Sequence, residues 1–98
     1  MNVVISKSEK PRYKMKAVID NNKTIYFGAS GYSDYTIHKD DNRKELYINR
    51  HKKRENWDDP LTAGFYSRWV LWNKPTIEDS LADLVKRFNN LSIIYKLG

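Results

Sequence analysis

The sequence predicts an α+β domain in which an N-terminal β-hairpin, a small antiparallel sheet, packs against about three helices. Three observations carry that expectation. Residues 13–19 alternate apolar and charged side chains; Asp20-Asn21-Asn22-Lys23 follows as turn chemistry; and residues 77–88 repeat apolar side chains at helical spacing. Ninety-eight residues make one domain, 1–98, with a single core and little to spare.

Asn2 to Ser6 is a short apolar run that reads as an edge strand, and Lys7 to Arg12, interrupted by Pro11, has no assignable period. In the next strand Tyr13, Met15, Ala17 and Ile19 share one side and Lys14 and Lys16 the other, the period of a half-buried strand. Asp and Asn tolerate the positive φ of a tight turn, and Thr24-Ile25-Tyr26-Phe27 returns as the hairpin's β-branched and aromatic partner. Gly28-Ala29-Ser30-Gly31 ends it. Lacking a Lys-Ser/Thr pair, that stretch reads as a tight turn rather than a phosphate-cradling loop. The stretch YSDYTIHKDD is too small and polar to assign. Asp40 or Asp41 can cap a first helix that stops by Trp57. A second helix is expected from Pro60 through LTAGFYSRWVLW, with Leu61, Phe65, Trp69 and Trp72 on one side. Thr76 caps the third, whose stripe is Ile77, Leu81, Leu84, Val85 and Phe88; Asn89-Asn90 ends it, and Leu91 to Leu97 forms a last strand or packed tail.

Charge is the strongest functional signal. Eighteen Lys and Arg against 12 Asp and Glu give a formal charge of +6, so the default partner is anionic: nucleic acid, an acidic protein or an anionic surface. The excess concentrates in RKELYINRHKKR, residues 43–54. On a helix Arg43, Tyr47, Arg50, His51 and Arg54 would form one stripe, suited to a phosphate backbone; the plain alternative is a solvated basic face. Which side of this helix is buried stays open, because Leu46, Tyr47 and Ile48 point in three directions.

Other chemistries find less support. Cysteine is absent, which removes disulfides, thiolate zinc sites and cysteine nucleophiles. His38 and His51 fit no zinc spacing, and Asp34, Asp40 and Asp41 lack a calcium-loop pattern. No stretch approaches the roughly 18 apolar residues of a membrane span, and MNVVISKSEK is too short an apolar run for a secretory signal. The expectation is a protein that is not secreted and has no membrane partner. The three Trp read first as core, with Trp57 the best candidate for exposure.

Two resemblances add to this. KTIYFGASGYSDYTIHKD, YINRH, AGFYSRW and LWNKPTIEDS, spread from about Tyr13 to Phe88, resemble a family of small uncharacterised proteins of large nucleocytoplasmic DNA viruses. That implies a virion or host cytoplasmic or nuclear setting, and no biochemical role. The hairpin ending in Tyr-Phe-Gly-Ala-Ser, followed by a helix with Arg and His, is similar to the core of GIY-YIG nucleases. By that similarity Tyr13 and Tyr26 stand for the two motif tyrosines, Arg43 or Arg50 for the helix arginine, His51 for a nearby histidine and Glu78 for the Mg²⁺ ligand. The implied reaction is phosphodiester hydrolysis. Arg12 stands where that family has an apolar residue, Phe27 replaces Ile, and about ten extra residues separate Ser30 from the helix.

The leading expectation is a small nucleic-acid-binding protein without a reaction or cofactor, contacting DNA phosphates through Arg43, Lys44, Arg50, Lys52, Lys53 and Arg54, with Lys14 and Lys16 extending the surface. The alternatives are the metal-dependent nuclease, and a virion scaffold or host-interaction protein docking on an acidic partner through aromatics such as Trp57 and Tyr66.

Overall fold

The computed structural model describes residues 1–96 and is α+β. Strands β1 (Asn2–Lys7), β2 (Tyr13–Ile19), β3 (Lys23–Ala29) and β4 (Ser92–Tyr95) form one sheet in the order β3-β2-β1-β4. The helical layer consists of α1 (Tyr35–His38), α2 (Asp41–His51), α3 (Ala63–Tyr66), a π-helical turn at Ser67–Leu71 and α4 (Ile77–Arg87).

The hairpin follows its sequence pattern. Asp20 and Asn21 both take positive φ, which matches the right-handed twist of the flanking strands and sets the register Ile19↔Lys23 through Tyr13↔Ala29. Alternation then puts Met15, Ala17 and Ile19 of β2 beside Ile25 and Phe27 of β3 on the buried face. Asn2–Ser6 is not an edge strand: β1 is interior, antiparallel to β2 and parallel to β4. Its Val3 and Ile5 extend the buried face, because a strand with two neighbours satisfies both of its backbone edges. The last strand is found within the expected span, and Leu97 lies outside the described residues.

On that face sit Phe65, Tyr66, Trp69, Val70 and Leu71, then Leu81 and Leu84 from α4. Thr76 caps α4 as its sequence indicates, its hydroxyl accepting from the Asp79 N–H, with Glu78 and Asp79 in the first turn. The second helix differs from its expectation. It starts at Ala63, not Pro60, because the Asp59 carboxylate takes the Leu61 N–H and the Thr62 hydroxyl takes the Phe65 N–H. Leu61 is left exposed. Beyond Tyr66 the helix widens, with the Trp72 N–H reaching back five residues to the Ser67 carbonyl. One extra residue in the turn breaks the expected stripe. Trp69, Val70 and Leu71 all enter the core, while Trp72 turns toward α2.

Tyr66 is fully buried and its hydroxyl has no hydrogen-bond partner. Burial pushes the phenols of Tyr66 and Tyr47 above their ordinary value of 10.0, with Asp59 adding to the effect on Tyr66 and Glu55 to that on Tyr47. A raised folded-state pKa means stability that is complete below pH 10 and lost as pH climbs above it. Tyr66→Phe removes an unpaired buried hydroxyl at constant shape, so it should leave stability unchanged or raise it by about 1 kcal/mol, and soften the alkaline loss above pH 10. Urea titrations at neutral and alkaline pH check this; a loss of more than about 1 kcal/mol at neutral pH would show that the hydroxyl has a partner.

Candidate nucleic-acid interface

The basic helix is built by its N-cap and one ring. Asp40 is the cap, its carboxylate accepting the Asn42 and Arg43 N–H groups. Tyr47 is the single buried residue of α2, and its ring lies 4.4 Å from Trp72 at an interplanar angle of 2°. His51 stacks on the other side at 4.4 Å and 28°. Arg43, Arg50 and His51 are the i−4, i+3 and i+4 neighbours of Tyr47, so they share its side of the helix.

That side faces a cleft of about 540 Å³ between α2, the end of the β2–β3 hairpin and the α3–π segment. Arg43, Arg50 and His51 line it from the helix, and Tyr13, Tyr26 and Tyr32 from the hairpin and its loop. Gly28 makes this packing possible. With φ +76° and no Cβ it admits Leu71, whose Cδ1 would come within 2.7 Å of any Cβ there.

Two carboxylates enter the cleft. Asp34, almost fully buried, pairs with Lys14 Nζ at 2.7 Å and caps α1 by accepting the Thr36 N–H. Glu55 accepts the Trp57 indole N–H at 2.9 Å, and its other oxygen lies 3.6 Å from His51 Nδ1. The absent Cβ of Gly64 leaves room for that carboxylate, since one built there would sit 2.9 Å from Glu55 Cδ.

The expected contact residues separate into two groups. Arg43, Arg50, Lys52, Lys53 and Arg54 are exposed and have no ion pair among the described residues. Helix α2 ends at His51, so Lys52, Lys53 and Arg54 continue from its C-terminal turn and do not line the cleft. Lys14, Lys16 and Lys44 are already engaged. Lys14 holds Asp34 and Lys16 holds Glu9 at 2.7 Å. Lys44 Nζ lies 4.9 Å from the centre of the Tyr35 ring and donates to the Asn73 carbonyl at 2.6 Å. Burial and the nearby Arg68 lower the Lys44 pKa.

Three further expectations are corrected. Glu78 lines a separate apolar depression with Leu81, Ala82, Val85, Ile93 and Tyr95, apart from the tyrosines and arginines it was matched to. Lys16 and, second, the Tyr26 hydroxyl donate to Glu9 and hold its carboxyl down to about 2, and the same bond raises the phenol, so Tyr26 is a scaffold residue. Trp57 is half-buried against the core, and Tyr66 is fully buried, so neither is an exposed anchor for a protein partner. His38 has a structural role, its Nδ1 accepting the Asp40 N–H while its ring packs 5.3 Å from Trp72. Among the described residues no cluster of three or more acidic or histidine side chains is arranged to hold a metal ion.

Residues 3–51 match a family model described as a family of unknown function, DUF5754. The chain belongs to that family. The match contains the hairpin and helix walls of the cleft, including Tyr13, Tyr26, Arg43 and Arg50, whereas Glu55, Gly64 and Trp72 come from beyond it. No curated protein and no solved structure matches the chain.

Glu55 was missed in the sequence because it follows a run of cations that makes it look like a solvated counter-charge. Its position is testable through Gly64. In Gly64→Ala the new methyl should displace the carboxylate with a stability change under about 1 kcal/mol, Ala being the better helix former. The Trp57 indole N–H resonance should shift as its acceptor leaves; an unmoved resonance would contradict this packing.

Proposed function

We propose that the protein binds nucleic acid through backbone phosphates, with the cleft beside α2 as the seat. The observation that carries this is the division among the cations. Lys14, Lys16 and Lys44 satisfy groups of the protein itself, while Arg43 and Arg50 stand in the cleft with His51 and without an ion-pair partner among the described residues. Two guanidiniums about two helical turns apart present planar donor forks to successive phosphate oxygens. Lys52, Lys53 and Arg54 continue the positive surface past the helix end. The resemblance to proteins of large DNA viruses makes viral DNA, in the particle or in the host cytoplasm or nucleus, the natural partner.

A second reading is favoured by one further observation, the presence of Tyr13, His51 and Glu55 in the same cleft as the arginines. The similarity to GIY-YIG nucleases gives Tyr13, His51 and the arginines a place in a phosphodiester-hydrolysing site but names Glu78 as its metal ligand; here Glu55 stands in the cleft instead. Mg²⁺ commonly uses one or two carboxylates and the substrate's own phosphates, so Glu55 is the residue that would hold it, and the ion would supply charge stabilisation at the phosphate. Arg43 and Arg50 would orient the phosphate, the Tyr13 phenol would stand at the cleft's rim, and His51 would carry a proton to or from the reacting oxygen.

The test is a salt titration of DNA binding. Arg43→Ala combined with Arg50→Ala should weaken binding on the order of tenfold and reduce the slope of log K against log[salt] by about two, while Lys16→Ala changes neither. An unchanged slope in the double variant would remove the cleft from the interface. Adding Mg²⁺ to the same samples reads the second function: cleavage that disappears in Glu55→Gln supports it, and intact DNA in the wild type rejects it.

A further inference from the structure

Tyr32 is 75% exposed, the most exposed of the large apolar side chains among the described residues, yet it lines the cleft rather than a featureless surface. The backbone turns sharply just before it, at Gly31 with φ +85°, and nothing lies within 4 Å of where a Gly31 Cβ would stand. Tyr13, 39% exposed, is the second open aromatic of the same cleft. Tyr26 is different. Its ring is covered on one side by Lys10 Nζ at 4.2 Å and meets Tyr13 at 5.7 Å, and its hydroxyl is held by Glu9. The ring of Tyr32 is therefore open on one wall, with Tyr13 partly open beside Tyr26, and the guanidiniums of Arg43 and Arg50 line the other.

This pairing distinguishes two forms of nucleic acid. A duplex keeps its bases stacked inside and offers a protein mainly phosphates and groove edges, so an aromatic ring in the phosphate-binding cleft finds nothing to stack on. A single strand offers both at once: phosphates along the backbone and unstacked bases with free faces. The cleft volume of about 540 Å³ falls within the range of sites that enclose one small ligand, enough for a single nucleotide unit and too small for a double helix.

We propose that the cleft receives single-stranded nucleic acid, with a base stacked on Tyr32 and the adjoining phosphates on Arg43 and Arg50. The inference rests on the phosphate-binding reading above and specifies its substrate. Such binding tolerates any base sequence, because every base has a face to stack.

The experiment is fluorescence anisotropy with a labelled oligothymidylate of about ten nucleotides, a typical single-strand site length, and with a duplex of equal length, in EDTA at two salt concentrations. The wild type should bind the single strand more tightly. Tyr32→Ala should lose about fivefold or more on the single strand with an unchanged salt slope, and Tyr32→Phe should retain the affinity. Because Tyr32 is exposed, both variants should melt as the wild type does. Equal or tighter duplex binding, or an unaffected Tyr32→Ala, overturns the single-strand inference while leaving the arginine contacts standing. Absence of binding to either probe overturns both.

Discussion

The arrangement of this protein depends on the Tyr47 ring, held between Trp72 and His51. Helix α2 buries no other residue, so one aromatic side chain determines which way an otherwise polar and cationic helix faces. Stacked pairs of this kind contribute roughly 0.5–1.5 kcal/mol beyond the area they bury, and Tyr47 makes two close ones, with Trp57 a third stacked neighbour at 6.3 Å. Trp72, at the end of the π-helical turn, packs against the core and also reaches α2 to stack on Tyr47. A regular α-helix through the same residues would have aligned Trp72 with Phe65 and Trp69, leaving Tyr47 without its platform.

Electrostatics follows from that geometry. A buried or half-buried cation must find an internal partner, and Lys14, Lys16 and Lys44 do so with Asp34, Glu9 and the Asn73 carbonyl. Arg43 and Arg50, set on either side of Tyr47, remain open to the cleft. Part of the chain's basic composition therefore closes the fold, while Arg43 and Arg50 have no ion-pair partner among the described residues. Glu55, beside the cations, is kept in place by the Trp57 indole and by the gap at Gly64, so the cleft contains an acid as well as bases.

Local chemistry was the part legible in the sequence. The alternation of residues 13–19, the Asp-Asn turn and the Thr76 cap each depend on neighbours within a few residues, and each is found where its pattern lies. The interior position of β1 was not legible, because it depends on pairing with β4 some 90 residues later. Nor was the π turn, since its extra residue leaves the composition of FYSRWVLW unchanged. In the site, the stripe of Arg43, Tyr47, Arg50 and His51 was readable from helical spacing alone. Its facing was not, since three candidate apolar residues pointed three ways and Tyr47 is selected by Trp72, 25 residues on, together with Trp57. Glu78 was misplaced for the same reason: a carboxylate on the best-defined helix says nothing about which groove that helix borders.

The most direct test is a nitrogen-edited NMR titration with a short oligothymidylate, following backbone amides and arginine side chains together. If the Tyr47 stack orients α2 as described, the shifts concentrate at Arg43, Arg50, His51 and Tyr32, and Lys16 and Lys44 stay still. Shifts confined to Lys52, Lys53 and Arg54, or to the open face of the sheet, would contradict the account.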